Sequence, residues 1–141
     1  GVGIKAVNAL SSRFEVRSYR EGKVRIAIFE KGNLQSDVTE SCNEESGTYI
    51  FFEPDSTLFL NYSFQANFVE TLLRNYTYLN TGLSIIYNGQ RIISRHGLED
   101  LLNDNMTAQG LYNIIHLKGE DIEIAFTHTN QYGEEYYYLL K

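Results

Sequence analysis

The chain has 141 residues, of which 43% are hydrophobic and 21% charged, a composition that fits one ordinary domain with a core and excludes disorder as its main state. With 12 Lys plus Arg against 18 Asp plus Glu, its net charge of -6 leaves no overall field to attract DNA phosphates. The one cysteine, Cys42, excludes an internal disulfide and a Cys-rich zinc cluster.

Ile4, Val7 and Leu10 follow Gly1 and Gly3 at helical spacing, which predicts a two-turn helix over residues 4–10. From Arg13 the period changes to two. Phe14 and Val16 alternate with charges, Arg20-Glu21-Gly22-Lys23 turns, and Val24, Ile26 and Ile28 alternate again, a β-hairpin. Lys31-Gly32-Asn33 makes another turn, and residues 35–46, with Asp37, Glu40, Glu44 and Glu45, read as an exposed connection. Residues 47–52 resume a strand, which Pro54 closes because it lacks the ladder donor.

Phe64, Phe68, Leu72 and Tyr76, with Val69 and Leu73 beside them, form one apolar stripe and predict a helix over residues 63–79. Leu83, Ile85 and Tyr87 lead through Asn88-Gly89, suited to a type I′ turn, into a second hairpin arm at residues 91–93. Leu98, Leu101 and Leu102 predict a short helix, and residues 112–117, 121–129 and 135–140 three strands. The expected class is α+β with mixed strands, divided near residues 94–97.

No apolar run approaches the roughly 18 residues of a membrane helix, and no charged-then-apolar leader opens the chain. The expectation is a cytoplasmic protein with no membrane partner. A start without Met and an end inside an apolar run read as an internal fragment of a longer chain, whose sheet edge then favours non-native association. The Asn-x-Ser/Thr triplets at Asn61, Asn75 and Asn105 read as accidental in a chain rich in those residues.

Cys42, His96, His116 and His128 carry none of the local signatures that pair a nucleophile with its base. His116 and His128 read as a surface pair across adjacent strands rather than as metal ligands. The pairs Glu44-Glu45 and Glu134-Glu135 read as loop solvation, and the 11 Tyr and 8 Phe as core and strand packing. Gly1-Val2-Gly3 ahead of a helix is the one anion-binding pattern, since free amides and the helix dipole favour negative charge.

Gly1-Val2-Gly3-Ile4 running on to Val7-Asn8-Ala9-Leu10-Ser11 resembles the end of the glycine-rich loop and the following helix of bacterial type II DNA topoisomerase ATPase subunits, the gyrase B and topoisomerase IV B family. The resemblance continues through the Arg20-Glu21-Gly22-Lys23 turn and through Gly47-Thr48-Tyr49-Ile50-Phe51-Phe52-Glu53-Pro54-Asp55, similar to the family's Gly-Thr-x-x-x-Phe-x-Pro-Asp. Leu73-Arg74 and Tyr78-Leu79-Asn80-Thr81-Gly82-Leu83 resemble its Leu-Arg and Phe-Leu-Asn-x-Gly segment. His96-Gly97-Leu98, Leu101-Leu102-Asn103 and residues 122–137 are more loosely similar to the start of the transducer domain.

That resemblance implies the later half of a GHKL-type ATPase α/β sandwich over residues 1–95, followed by the first strands of a truncated transducer domain over residues 96–141. It implies ATP with Mg2+ in the intact parent, a second copy of the same protein as an ATP-gated partner, and a DNA-cleaving subunit and DNA reached through other regions. Gly1, Val2 and Gly3 would present amides to the phosphates, Ile4 and Ile50 would line the adenine pocket, Thr48 would bond the adenine edge, and Arg20 would lie at the mouth. No catalytic residue or metal ligand is implied here: the family's general base and metal-binding Asn lie upstream and its γ-phosphate Lys downstream, so the chain alone is expected not to hydrolyse ATP. The alternative is a small acidic α+β interaction module with no nucleotide site.

Overall fold

A computed structural model describes residues 1–132 and 137–140, the last three of these by their backbone alone. It divides after Ser63 into two compact units. The first holds a helix, α1 (Val2–Ala9), and four strands, β1 (Ser11–Arg20), β2 (Lys23–Glu30), β3 (Asn33–Ser41) and β4 (Gly47–Pro54), in the order β3-β2-β1-β4. Every pairing is antiparallel.

Two tight turns fix the register. Glu21 and Gly22 have φ of 53° and 71°, and Lys31 and Gly32 have φ of 49° and 81°, the left-handed pair that suits the strand twist. The second turn carries β3, a strand where an exposed connection was expected. Its residues are almost all solvent-facing, so no burial pattern marks it; pairing with β2 and the Arg25 to Asp37 fork, at 2.9 and 2.6 Å, hold it.

The α1–β1 corner is pinned by backbone and side chain together. Ser11 Oγ donates to Val7 O at 2.5 Å, Lys31 N to Ser11 O at 2.9 Å and Asp55 N to Leu10 O at 3.0 Å. Asp55 in turn accepts from Thr57 N and Oγ1 and pairs with Lys31 at 3.3 Å. The Thr57 hydroxyl and amide hold its carboxyl below the usual range against the opposing effect of burial. Phe14 and Val24 are the buried apolar residues of this unit, on opposite faces of the sheet by register, with Phe29 edge-on to Phe14 at 6.2 Å.

The second unit contains α2 (Ala66–Leu79), the hairpin β5 (Ser84–Tyr87) and β6 (Gln90–Ile93), α3 (Leu98–Asn105), and the sheet β7 (Ile115–Lys118), β8 (Ile122–Phe126), β9 (Tyr137–Leu140). Asn88 and Gly89, at φ 48° and 79°, make the expected type I′ turn. Leu98, Leu102 and Ala125 are the core, with Leu101, Met106, Ile114 and Tyr137 packed against it. Residues 135 and 136 of the expected last strand, and the Glu134-Glu135 pair, lie outside the described residues.

Two expectations are corrected. All described strand pairs are antiparallel, so the sheets are not mixed: β1–β2, β2–β3, β5–β6 and β7–β8 are joined by turns too short for the crossover that parallel strands need, and β4 pairs with β1 after the β2–β3 excursion. The helix expected over residues 63–79 starts at Ala66, so Phe64 precedes it, and Phe64, Phe68, Leu72 and Tyr76 stay largely exposed rather than packing a core; the buried residues of α2 are Thr77 and Tyr78, on the side that meets β5, β6 and α3.

Candidate functional site

The seven residues singled out from the sequence all fall in the first unit. Gly1 is the N-cap of α1, and Val2, Gly3 and Ile4 are its first turn; no side chain caps this end. Gly3 has no positive φ, and a Cβ there would meet no atom of this chain within 4 Å. A glycine inside a helix costs about 0.8–1.0 kcal/mol relative to Ala. Within this chain neither packing nor φ calls for a glycine at position 3.

Thr48 and Ile50 stand on β4 opposite Ser18 and Val16 of β1, and Arg20 lies two residues beyond Ser18. Alternation puts Val16, Ser18, Thr48 and Ile50 on one face of the sheet. Thr48 and Ile50 are exposed, and Arg20 reaches only Glu21, at 3.5 Å, both side chains largely in solvent. The opposite face is occupied otherwise: Glu15 takes Arg17 Nε at 2.6 Å and Arg13 at 3.2 Å, and the Arg17 guanidinium lies 5.0 Å over the Tyr49 ring. Arg17 above all holds the Glu15 carboxyl below its ordinary range, burial opposing it.

Thr48, Ile50 and Arg20 are thus close in one sheet, while Gly1, Val2, Gly3 and Ile4 belong to the helix that packs on β1, β2 and β4. Among the described residues no hydrogen bond joins the two groups, and no cluster of three or more His, Cys, Asp or Glu stands ready for a metal. An open cleft of about 430 Å³ lies in the second unit instead, lined by Thr71, Arg74, Asn75, Tyr78, Asp104 and Asn105. It contains none of the seven. The Tyr78 hydroxyl donates to Asp104 there, and burial, then that carboxylate, pushes the phenol up to about 12, so it stays a donor at neutral pH.

Sequence reasoning missed a polar knot at the start of α3. Asp100 Oδ2 accepts from Ser94 Oγ at 2.8 Å, His96 N at 3.0 Å and Arg95 N at 3.1 Å; Ser94 Oγ also accepts from Gly97 N at 3.0 Å. Glu123, 2% exposed, accepts from His116 Nε2 at 2.8 Å and Leu98 N at 3.4 Å. His116 sits opposite Ala125 and also meets Glu99 at 3.4 Å, whereas His128 bonds the Tyr112 hydroxyl, so the two histidines do not face each other. Acidic residues in the first turn of α3, Glu99 and Asp100, were the available signal.

Burial pushes the Asp100 and Glu123 carboxyls up, but the His96 and Ser94 bonds on one and His116 and Leu98 on the other outweigh it and leave both low. With folded values depressed, the unfolded chain takes up protons first as pH falls. Stability from Glu15, Asp55, Asp100 and Glu123 is therefore complete above their unfolded values and lost as pH drops through the folded ones. Thermal melts are expected to be flat above about pH 5 and to fall steeply in acid; a melting temperature that rises on acidification contradicts the assignment.

No protein-family model matches the chain. It is 44% identical over 138 residues to the DNA topoisomerase 4 B protein of Borreliella burgdorferi, covering 97% of this chain and 23% of that protein. It is 32% identical over 155 residues to the DNA gyrase B protein of Thermotoga maritima, covering 96% and 24%. Among solved structures, the 43K ATPase domain of Thermus thermophilus gyrase B, crystallised with an aminocoumarin, matches 89% of this chain and 38% of its own at 27% identity and a TM-score of 0.71. The chain spans about a quarter of the length of the curated relatives it matches. A likeness running through 97% of the residues removes the reading as an unrelated interaction module. With these matches and a fold shared with a gyrase B ATPase domain, the chain belongs to the ATPase subunits of bacterial type II DNA topoisomerases, the DNA gyrase B and topoisomerase IV B family, as a part of such a subunit.

Proposed function

We propose that this chain supplies one side of the ATP site of a cytoplasmic type II topoisomerase subunit, in which ATP binding closes two subunits around DNA and hydrolysis resets the gate. The observation that carries the reading is Gly3: a glycine in the first turn of α1, where it weakens the helix and no positive φ calls for it. A close ligand explains it where the fold does not.

In this reading the amides of Gly1, Val2 and Gly3 receive the phosphates, Ile4 and Ile50 line the adenine pocket, Thr48 bonds the adenine edge, and Arg20 stacks or pairs at the mouth. Residues 1–95 belong to the GHKL-type ATPase part and residues 96–141 to the transducer. Residues outside this chain would hold the phosphate-bound Mg2+ and supply the water-activating base, and DNA and the DNA-cleaving subunit would be met through other regions, in keeping with a net charge of -6.

Thr48→Ala in the full-length subunit tests the adenine contact. Loss of one hydrogen bond to the ligand is expected to weaken binding of a non-hydrolysable ATP analogue by about 0.5–1.5 kcal/mol, roughly two- to tenfold, at an unchanged melting temperature without ligand. An unaltered Kd contradicts it. Thr48 is exposed in the first unit, so its truncation removes no core contact, and the ligand-free melt reports any folding defect directly.

A further inference from the structure

Four pieces of the second unit converge on Gly97. A Cβ there would lie 2.9 Å from Glu123 Oε1 on β8, 2.9 Å from Thr81 Oγ1 in the segment after α2, and 3.2 Å from Tyr78 O in the last turn of α2. Gly97 itself is the N-cap of α3, at φ 58° and ψ -118°. The segment that joins β6 to α3 has its amides held one after another: Arg95 N and His96 N by Asp100, Gly97 N by Ser94, and Leu98 N by Glu123. Gly82 N bonds Ser94 O at 3.0 Å, tying the same segment back to the residues after α2.

A connection with four successive bonded amides, tied to β8 through Glu123 and to the residues after α2 through Gly82 N, does not swing freely. We propose that Glu123 is a positioning residue that makes residues 94–100 a rigid joint, so that displacement of α2 and the β5–β6 hairpin carries α3 and the β7–β9 sheet with it. This rests on the functional reading above, because it concerns how nucleotide state leaves the ATPase part. The charge is the informative feature. A buried carboxylate is expensive to desolvate, and a neutral residue of the same shape would fill the volume more cheaply. Glu123 instead faces the N-terminal amides of α3, where the helix dipole favours negative charge, and takes His116 from β7, with Lys118 of β7 and Glu99 of α3 as the other nearby charges.

Glu123→Gln keeps volume and one acceptor while removing the charge. In the full-length subunit assembled with its DNA-cleaving partner, the variant is expected to hydrolyse ATP within about twofold of wild type while DNA strand passages per ATP fall at least about fivefold, the lower range of a typical coupling energy. Amides 98–102 are expected to exchange hydrogen faster, and the melting temperature at neutral pH to fall part of the way toward the acid value of wild type, because the Glu123 charge belongs to the stability lost in acid. An unchanged ratio of strand passage to ATP turnover overturns the proposal. So does a parallel loss of both, which is a merely structural role. If wild type itself shows no ATP-dependent strand passage, the functional reading fails, and the exchange measurement still decides the joint: protection of amides 98–102 unchanged in the variant overturns it.

Discussion

Replacing Gly97 with alanine is expected to destabilise the second unit by about 2–4 kcal/mol, much of the ~5–15 kcal/mol that holds a typical domain. Two penalties add. A φ of 58° with ψ of -118° is a conformation that side chains rarely adopt, worth about 1–3 kcal/mol of strain. The added methyl also presses on the Glu123 carboxylate and Thr81 hydroxyl, which can rotate, and on the Tyr78 carbonyl, which as helix backbone yields little. Denaturant melts of wild type and variant measure the difference directly. A loss below about 0.5 kcal/mol, the ordinary range for a surface substitution, would show that the packing around α3 is looser than described.

Gly3→Ala should do the reverse, leaving stability equal or raised and ligand binding impaired. Alanine is the better helix former by up to about 1 kcal/mol, and its methyl enters open space. In the full-length subunit the same methyl would stand where a phosphate oxygen approaches the helix amides, and overpacking of that kind costs about 1–3 kcal/mol, roughly 5- to 150-fold in Kd. Calorimetric titration with an ATP analogue and magnesium, beside a ligand-free melt, separates the two effects. Stability raised with affinity intact would leave Gly3 without the role assigned to it.

The turns were the most legible part of the fold. Glu21-Gly22 and Asn88-Gly89 announce themselves because few residues accept a left-handed backbone, and each fixes a hairpin register. β3 was illegible for the complementary reason: Asp37 and Glu40 look like loop residues, and only the pairing with β2 makes them a strand. Periodicity showed α2 but not what it buries, since a stripe of Phe64, Phe68, Leu72 and Tyr76 states a helical face and not its neighbour.

The same limit applied to side-chain chemistry. Gly1, Gly3, Thr48 and Arg20 were singled out through short motifs, whose meaning is carried by local order along the chain. Asp100 and Glu123 belong to no motif. Their significance comes from donors supplied by Ser94, His96, His116 and the amide of Leu98, which are brought together by tertiary packing. His116 was noticed, but strand register opposes it to Ala125 rather than to His128, and a shift of register is not readable from spacing alone.

The central claim, that residues of α1 and β4 form one nucleotide-binding wall, is tested most directly by amide hydrogen exchange of the full-length subunit with and without a non-hydrolysable ATP analogue and magnesium. The account predicts new protection at residues 2–4 and 48–50, abolished at the same analogue concentration by Gly3→Ala and reduced by Thr48→Ala. Protection that falls elsewhere, with residues 2–4 and 48–50 unchanged by the analogue, would contradict it.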